Sequence, residues 1–401
     1  MSCSKEKENL QNFKQTESSR IPREWEVVRL GEIFSLEYGK GLTEKERENG
    51  EYPVYGSNGV VGYHSQYIVK GPGIIVGRKG TIGAITWSNR NFWPIDTTYY
   101  ILLKKPETDL KWLFYKLSSL KLAKLNMATG TPGLNRDLVY KLQIPLPPLP
   151  EQQKIAEILS TVDQAIEKVD DSIAKTERLK KGLMQELLTK GIGHKEFKNT
   201  EIGGIPKEWE VVRIKDIGEV FTGKTPSTSK DSYWNGDIPF ITPEDMTGEK
   251  YVYRTNRYVS FEGANQSGKI LPPNTVLVVC IGSTVGKVAL THKESVTNQQ
   301  INSVLCKEKV DHDCVYYAIS HRSYMLKNYS GVAAVPIVKK SLFEEFKIPL
   351  PQKITEQQKI AEILSTVDKR LVLLRNKKEK MERIKKGLMN DLLTGKRRVK
   401  V

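Results

Sequence analysis

Cysteine is scarce in this chain, with four in 401 residues: Cys3, Cys280, Cys306 and Cys314. None forms a C-x-x-C pair, and so few thiols cannot staple a chain this long, which excludes a disulfide scaffold. Cys306, His312, Cys314 and His321 lie close in sequence. Their spacing matches no standard zinc finger, so reduced, mostly buried thiols and no metal are expected. Five scattered histidines leave little for general-base chemistry. No apolar run approaches the ~20 residues a membrane helix needs, and the longest, around Thr275–Ile281, reads as a buried strand. The N-terminus, MSCSKEKENLQNFKQTESSR, lacks an apolar signal core. A cytoplasmic chain with a flexible extension over residues 1–21 is therefore expected.

Catalytic signatures are missing too. Gly282-Ser-Thr-Val-Gly286-Lys287-Val288 is one residue short of a phosphate loop and puts Val288 where magnesium needs a hydroxyl. The Asn-Pro-Pro-Tyr signature of amino-methyltransferases, G-x-S-x-G and H-E-x-x-H are all absent. Glu345-Phe-Lys347 mimics the end of a nuclease motif but adjoins a strand, and such triplets are common by chance. The sequence points away from an enzyme.

Positive charge and repetition are what the chain has in quantity. The formal net charge is +16, which favours a polyanionic partner, nucleic acid first. Residues 356–401 alone hold +8, against +5 for 22–150, +3 for 191–355 and −1 for 151–190. Charge alone therefore does not assign binding to the globular parts. The sequence EQQKIAEILSTVD runs from Glu151 to Asp163 and again, letter for letter, from Glu356 to Asp368. IPREWEVVRLGEI from Ile21 returns as IPKEWEVVRIKDI from Ile205, and IPLP at Ile144 returns at Ile348. ERLKKGLMQELLT from Glu177 returns as ERIKKGLMNDLLT from Glu382. Such a period organises the whole fold. The order is leading strand, variable body, IPLP and long segment, then the same again, with a second body about 20 residues longer.

The long segments read as helices. Ile155, Leu159, Val162, Ile166, Val169 and Ile173 step by four and three, as do Ile360, Leu364, Val367, Leu371 and Leu374, which is a heptad seam. The seam falters at Lys180 and Lys385, where Leu179 and Ile384 are expected to take over one position earlier. Thr355 and Gln358 fit a capping box, Pro150 suits a helix start, and Gly191 and Gly395 suit C-terminal caps. Each helix should run about 38 residues, or ~57 Å. Two matching apolar stripes can bury each other by pairing; if a two-fold axis runs across them the pair is antiparallel, with the bodies at opposite ends of a rod, and this is preferred to a parallel pair and to two separate core helices.

The two bodies mix strands and helices and share a pattern. GPGIIVGRKGTIGAI and LPPNTVLVVCIGSTVGKVAL each read as two strands around a glycine turn. DLKWLFYKLSSLKLAKL and DCVYYAISHRSYMLKNY each read as an amphipathic helix. Residues able to meet a phosphate or a base edge recur at equivalent places. In the first body they are Lys40, Arg78, Lys79 and Thr81, with Asn135 and Arg136 after the glycine-rich ATGTPG. In the second they are Lys224, Ser283, Thr284 and Lys287, with the amide cluster Asn298, Gln299 and Gln300, a side-chain type that pairs bidentately with adenine. Singly, each is better read as a solvated loop residue; the recurrence gives them weight as a set. IPLPPLP reads as a stiff connector rather than a ligand for a proline-binding domain.

Together, PREWEVVRLGEI and PKEWEVVRIKDI, the two IPLP…EQQKIAEIL segments and the two LKKGLM-type segments resemble one family: the specificity subunit of type I restriction–modification systems. The resemblance spans nearly all of the chain after residue 21. It implies two α/β (α+β) target-recognition domains joined by two long antiparallel coiled-coil helices in a pseudo-two-fold repeat. The expected organisation is an extension (1–21), recognition domain 1 (22–150), a central helix (151–190), a linker (191–205), recognition domain 2 (206–355), a C-terminal helix (356–394) and a basic tail (395–401). The resemblance further implies that each domain reads one half of a split double-stranded DNA target, with no catalysis in this chain. Two modification (methyltransferase) subunits and restriction (endonuclease/translocase) subunits would be its partners. S-adenosylmethionine, ATP and magnesium would then belong to those partners. The rival reading is a coiled-coil adaptor that binds only proteins.

Overall fold

The computed structural model describes residues 13–15, 20–125, 133–330 and 336–400. Cys3 and residues 128–132 of the ATGTPG stretch lie outside them. The chain divides into two compact units, Met1–Asp170 with Lys377–Val401, and Asp171–Asn376. Four helices organise the description: α1 (Leu110–Ser119), α2 (Leu149–Leu187), α3 (His312–Arg322) and α4 (Ile354–Leu392). Both long helices run 39 residues, and both cross the boundary between units.

In the first unit, the leading strand Glu26–Arg29 pairs antiparallel with Gln143–Leu146, placing Val28 opposite Ile144. The start and finish of the body are thus tied in one ribbon, and the β-branched residues of EVVR and QIPL suit it. Between them lies a four-stranded sheet ordered Phe34–Tyr38, Thr98–Leu103, Gly73–Gly77, Ile85–Ser88. A three-stranded sheet, Gly59–His64, Tyr52–Gly56, Trp93–Pro94, stands beside it in the chain. The core buries Trp25, Phe34, Trp112 and Tyr115 in one cluster with Ile155, Ala156 and Leu159 of α2 and Leu392 and Leu393 at the end of α4.

The second unit repeats the plan. Trp209–Arg213 pairs with Lys347–Pro351, Val212 opposite Ile348. The main sheet is Gly218–Thr222, Ile301–Cys306, Val276–Val279, Val288–Thr291, with an extra edge strand Tyr251–Val252. A three-stranded sheet of Arg257–Val259, Trp234–Ile241 and Val296–Thr297 follows the same order. The extra edge strand and a short helix, Phe261–Gln266, take up the additional chain of this body. Its core holds Trp209, Tyr317 and Phe343 with Leu187 and Leu188 at the end of α2 and Ile360, Ala361 and Leu364 from α4. Cys280 and Cys314 are buried and Cys306 is half-buried. Burial pushes the Cys280 and Cys306 thiols up to about 12.

Within each unit the two long helices run antiparallel. Asp163 meets Lys385 and Asp170 meets Lys378 in the first, while Lys180 meets Asp368 and Glu177 meets Arg375 in the second. Every seam residue expected from the periodicity is buried or half-buried: Ile155, Leu159, Val169, Ile360, Leu364 and Leu371 fully, and Val162, Ile166, Ile173, Val367 and Leu374 in part. Three details differ from expectation. Leu179 (54% exposed) and Ile384 (47%) do not take over the seam. Lys180 and Lys385 keep it, because each ammonium finds an aspartate on the opposite helix at 2.6 Å. Thr355 is not an N-cap, since α4 starts at Ile354 and the Gln357 amide, not Gln358, folds back to the chain. Short hairpins, Phe13–Gln15 with Arg20–Pro22 and Phe197–Thr200 with Gly203–Pro206, occupy segments expected as extension and linker. Gly191 (φ +66°) and Gly395 (φ +73°) adopt the left-handed conformation expected of C-terminal caps.

Candidate DNA-reading surfaces and their anchors

The repeated thirteen residues are a set of sockets. Glu151, 2% exposed, accepts from the Trp25 indole at 2.9 Å and from two nitrogens of Arg398 at 2.7 and 2.9 Å. Glu356 accepts from Trp209 (3.3 Å), from the backbone N–H of Ile192 (3.2 Å) and meets His194 Nε2 at 2.8 Å. Gln152 accepts from the backbone N–H of Asp109 and donates to the Pro147 carbonyl, both at 2.8 Å. Gln357 does the same with Asp311 and Pro351 at the same distances. Asp109 and Asp311 in turn cap α1 and α3, accepting from Trp112 N–H and Cys314 N–H at 2.7 Å. One helical turn later, Tyr115 donates to Asp163 (2.7 Å) and Tyr317 to Asp368 (2.6 Å), the aspartates that hold Lys385 and Lys180. Burial and the neighbouring carboxylates raise both tyrosines well above the ordinary phenol range. Each buried position of the repeat therefore has a defined contact in both copies.

The basic tail is partly committed to the same anchoring. Arg398 bridges Glu151 and Glu24. Lys116, deeply buried, donates to the Leu393 carbonyl at 2.9 Å, near the end of α4, where terminal carbonyls lack helical donors. Burial lowers its ammonium to about 8.

In the first body, Arg78 and Arg136, 58 positions apart in sequence, converge on Tyr38. Their guanidinium carbons lie 5.1 and 5.2 Å from its ring centre. Tyr38 is half exposed and packs on Tyr99, 5.1 Å between ring centres. The Tyr99 hydroxyl, held by the Leu134 carbonyl, is pushed up to about 12, chiefly by burial. Lys40 follows Gly39 at the end of the same strand, its ammonium 5.8 Å from the Trp93 ring. Lys79 and Thr81 are exposed on the turn after Arg78, with Ser57 Oγ 3.4 Å from the Thr81 N–H. Asn135 is exposed, and its Oδ1 caps the helix Arg136–Lys141 at Asp137 N–H.

In the second body, Ser283, Thr284, Lys287, Asn298 and Gln300 line one cavity of about 370 Å³, with Arg257 and Glu244. Lys287 donates to the Pro243 carbonyl at 3.3 Å. Asn298 is buried, with both ends of its amide engaged: Nδ2 donates to Gln300 Oε1 and Oδ1 accepts from Gln300 N–H. It shapes the loop, and Gln300 is held by it. Gln299 is exposed and accepts from Thr225, next to Lys224. Gly39 and Gly223 mark equivalent places, since a Cβ on either would lie about 2.1–2.2 Å from a backbone oxygen. Lys40 and Lys224 leave the two sheets at that shared point, and Lys224 does not line the cavity.

The family model for the type I restriction modification DNA specificity domain matches residues 22–177 and again 206–383. The chain belongs to this family. It is 29% identical to the type I restriction enzyme MjaVIII specificity subunit of Methanocaldococcus jannaschii over 417 residues, covering 97% of each. A putative MjaX specificity subunit of the same organism is 30% identical over 426 residues, again covering 97% of each. The crystal structure of the S subunit from M. genitalium superposes with a TM-score of 0.67 at 17% identity, covering 92% of this chain and 96% of that one; at that identity the likeness concerns the fold. A specificity subunit is a non-catalytic DNA-recognition subunit, and this one carries two recognition domains. Among the described residues no helix is long and apolar enough to cross a membrane.

For this specificity subunit, sequence reasoning found the cations but not the aromatic residue that gathers them. Tyr38 was missed because a tyrosine ending a strand looks like any other. In the second body the missed residues are Arg257, on a strand of the other sheet, and Glu244, on the turn after Ile241, and neither shares a motif with the glycine turn.

Proposed function

We propose that each recognition domain reads one half of an asymmetric, bipartite double-stranded DNA target, that the long helices set the gap between halves, and that they dock two modification subunits. The carrying observation is that scaffold and payload separate by position. The anchors Trp25, Asp109 and Tyr115 have exact counterparts in Trp209, Asp311 and Tyr317. The cross-strand pair Tyr38–Tyr99, by contrast, is Thr222–Asn302 at the same place in the second main sheet. Equal frames with unequal side chains suit two unlike half-sites.

Two partners of one kind are supported by the outward faces. Gln153, Lys154, Glu157 and Thr161 are exposed in the first copy and return as Gln358, Lys359, Glu362 and Thr366 in the second. Their internal contacts are confined to i,i+3 ion pairs and hydroxyls on the helix's own carbonyls, and such pairs stabilise by only ~0.3–0.5 kcal/mol. Gly182 and Gly387 occupy helix interiors with open space where a Cβ would be. Each costs ~1 kcal/mol of helix stability, which close approach of a partner's backbone would justify. In this reading S-adenosylmethionine sits on the modification subunits, and ATP and magnesium serve restriction subunits.

The test is methylome sequencing of a host that expresses the chain with its modification subunits. A two-part motif with a fixed gap is expected, and exchanging the first body for a relative's should change one half only. Deleting one turn from both helices removes ~5.4 Å and should shorten the gap by one or two base pairs at ~3.4 Å each. A gap indifferent to the deletion, or DNA binding by the assembled complex that does not weaken with salt, would count against the reading and favour a protein-only adaptor.

A further inference from the structure

The first body holds a cluster that its counterpart lacks. Arg78 and Arg136 face Tyr38, and Arg78 also lies 5.9 Å from the Tyr99 ring centre. Both arginines are half-buried. Among the described residues neither forms an ion pair, and neither do Lys40 and Lys79 on the adjoining strand end and turn. Four neighbouring cations with no ion pair suit a polyanion. What separates the arginines from the lysines is rigidity. Arg78 is fixed by its backbone as well, its N–H bonding Thr97 O at 2.9 Å and its carbonyl accepting from Leu134 N–H at 2.9 Å. A guanidinium held against an aromatic face keeps its fork of donors in one orientation, whereas an exposed lysine offers a mobile point charge. Preorganised forks suit the paired acceptors O6 and N7 of guanine, while mobile ammonium groups suit phosphates.

In the second body the same positions are filled otherwise. Thr222 donates to Asn302 at 2.6 Å where the tyrosine pair stands, and Lys340, which opens the helix corresponding to Arg136–Lys141, lies 3.6 Å from Glu344.

We propose that Tyr38 is a positioning residue that clamps Arg78 and Arg136 so that their guanidinium forks read guanine edges in the major groove of the half-site bound by the first body. The inference rests on the bipartite reading above and adds a base identity to it. One half-site therefore contains guanine read by an arginine pair that shares the Tyr38 ring, a pair the second body does not have at those positions.

The test uses the full complex with its modification subunits and duplexes carrying the methylated motif. Each guanine of the half-site that changes on exchange of the first body is replaced in turn by 7-deazaguanine, which removes the N7 acceptor. One or two positions should lose about 5-fold or more in affinity, the low end of the ~5- to 150-fold that a bidentate pair confers. That discrimination should vanish in Arg78→Met or Arg136→Met, fall in Tyr38→Leu, and return in Tyr38→Phe, which keeps the ring face. The wild-type duplex series needs no variant, so a misfolded variant does not silence it. A half-site without guanine, or one indifferent to 7-deazaguanine, overturns the proposal and leaves the bipartite reading standing. So does an Arg78→Met complex that loses affinity equally on all sequences with a shallower salt dependence, which marks phosphate contacts. A wild-type complex with no two-part motif overturns both.

Discussion

Removing Arg398 should unsettle the first unit more than an ordinary surface arginine would. Its guanidinium makes two hydrogen bonds to Glu151, at 2.7 and 2.9 Å, and that carboxylate is 2% exposed. In Arg398→Met the carboxylate keeps only the Trp25 N–H. Stripping one partner from a fully buried pair costs ~3–5 kcal/mol. Arg398 itself is about one-third exposed, so water will reach the vacated side and the expected loss is nearer ~2 kcal/mol. With a urea slope of ~2 kcal/mol/M, the unfolding midpoint should fall by ~1 M at unchanged slope. Glu151→Gln can still accept from Trp25 and should cost less. The double variant Glu151→Gln/Arg398→Met should recover about half of the Arg398→Met loss, because no uncompensated charge remains buried. The assay is urea unfolding of the four proteins of this cycle, with the Trp25 indole N–H followed by NMR as the local probe. A midpoint within ~0.2 M of wild type for Arg398→Met, or a double variant no better than the single, would refute the idea that this arginine serves a buried charge.

Lys116 gives the pH test. Burial lowers its pKa to about 8, whereas the unfolded chain has it near ~10.4. Between these values the unfolded state binds more protons, so the stability of wild type relative to Lys116→Met should rise with pH from about 8 to ~10.4, by an amount on the order of 2–3 kcal/mol; urea unfolding at pH 7, 8.5 and 10 that shows a flat difference would contradict it. Gly395→Ala puts a Cβ 2.4 Å from Pro22 Cδ at φ +73°, and a melt should show a loss of ~2 kcal/mol or more; Gly191→Ala, crowded by Trp209 and His194, should behave alike. Gly182→Ala and Gly387→Ala should do the reverse, raising helix stability by ~1 kcal/mol each while weakening capture of modification subunits in a pull-down titration. Asp163→Ala with Lys385→Ala should show a coupling of ~1 kcal/mol in a double-mutant cycle, matched by Asp368 with Lys180, and purely additive losses would mean the ion pairs are incidental.

The frame was legible because it is written in periodicities. The heptad steps located both helices, and the doubled motifs located both bodies, since a stripe of apolar residues has few places to go. Lys180 and Lys385 were misread for a reason of the same kind. A lysine in an apolar register looks like an interruption until its partner is known, and Asp163 lies 222 positions from Lys385. The Thr355 capping box failed because Gln357 is held by Asp311 and Pro351, a tertiary demand that outweighs a local motif. The candidate site was half legible. Glycine turns pointed to Arg78 and Thr284, but only folding shows that Arg136 shares a ring with Arg78, or that Asn298 turns inward to hold Gln300.

The sockets along the repeated helices make each body a cartridge. A replacement needs a tryptophan beside its first strand, an aspartate to open its short helix and a tyrosine six residues on, as Trp25, Asp109 and Tyr115 or Trp209, Asp311 and Tyr317 provide. Because the flanking helical sequence is the same at both addresses, crossover within it trades one cartridge for another without disturbing a single anchor. An exchanged body that brings this tryptophan, aspartate and tyrosine should therefore seat in the same helical frame at either address.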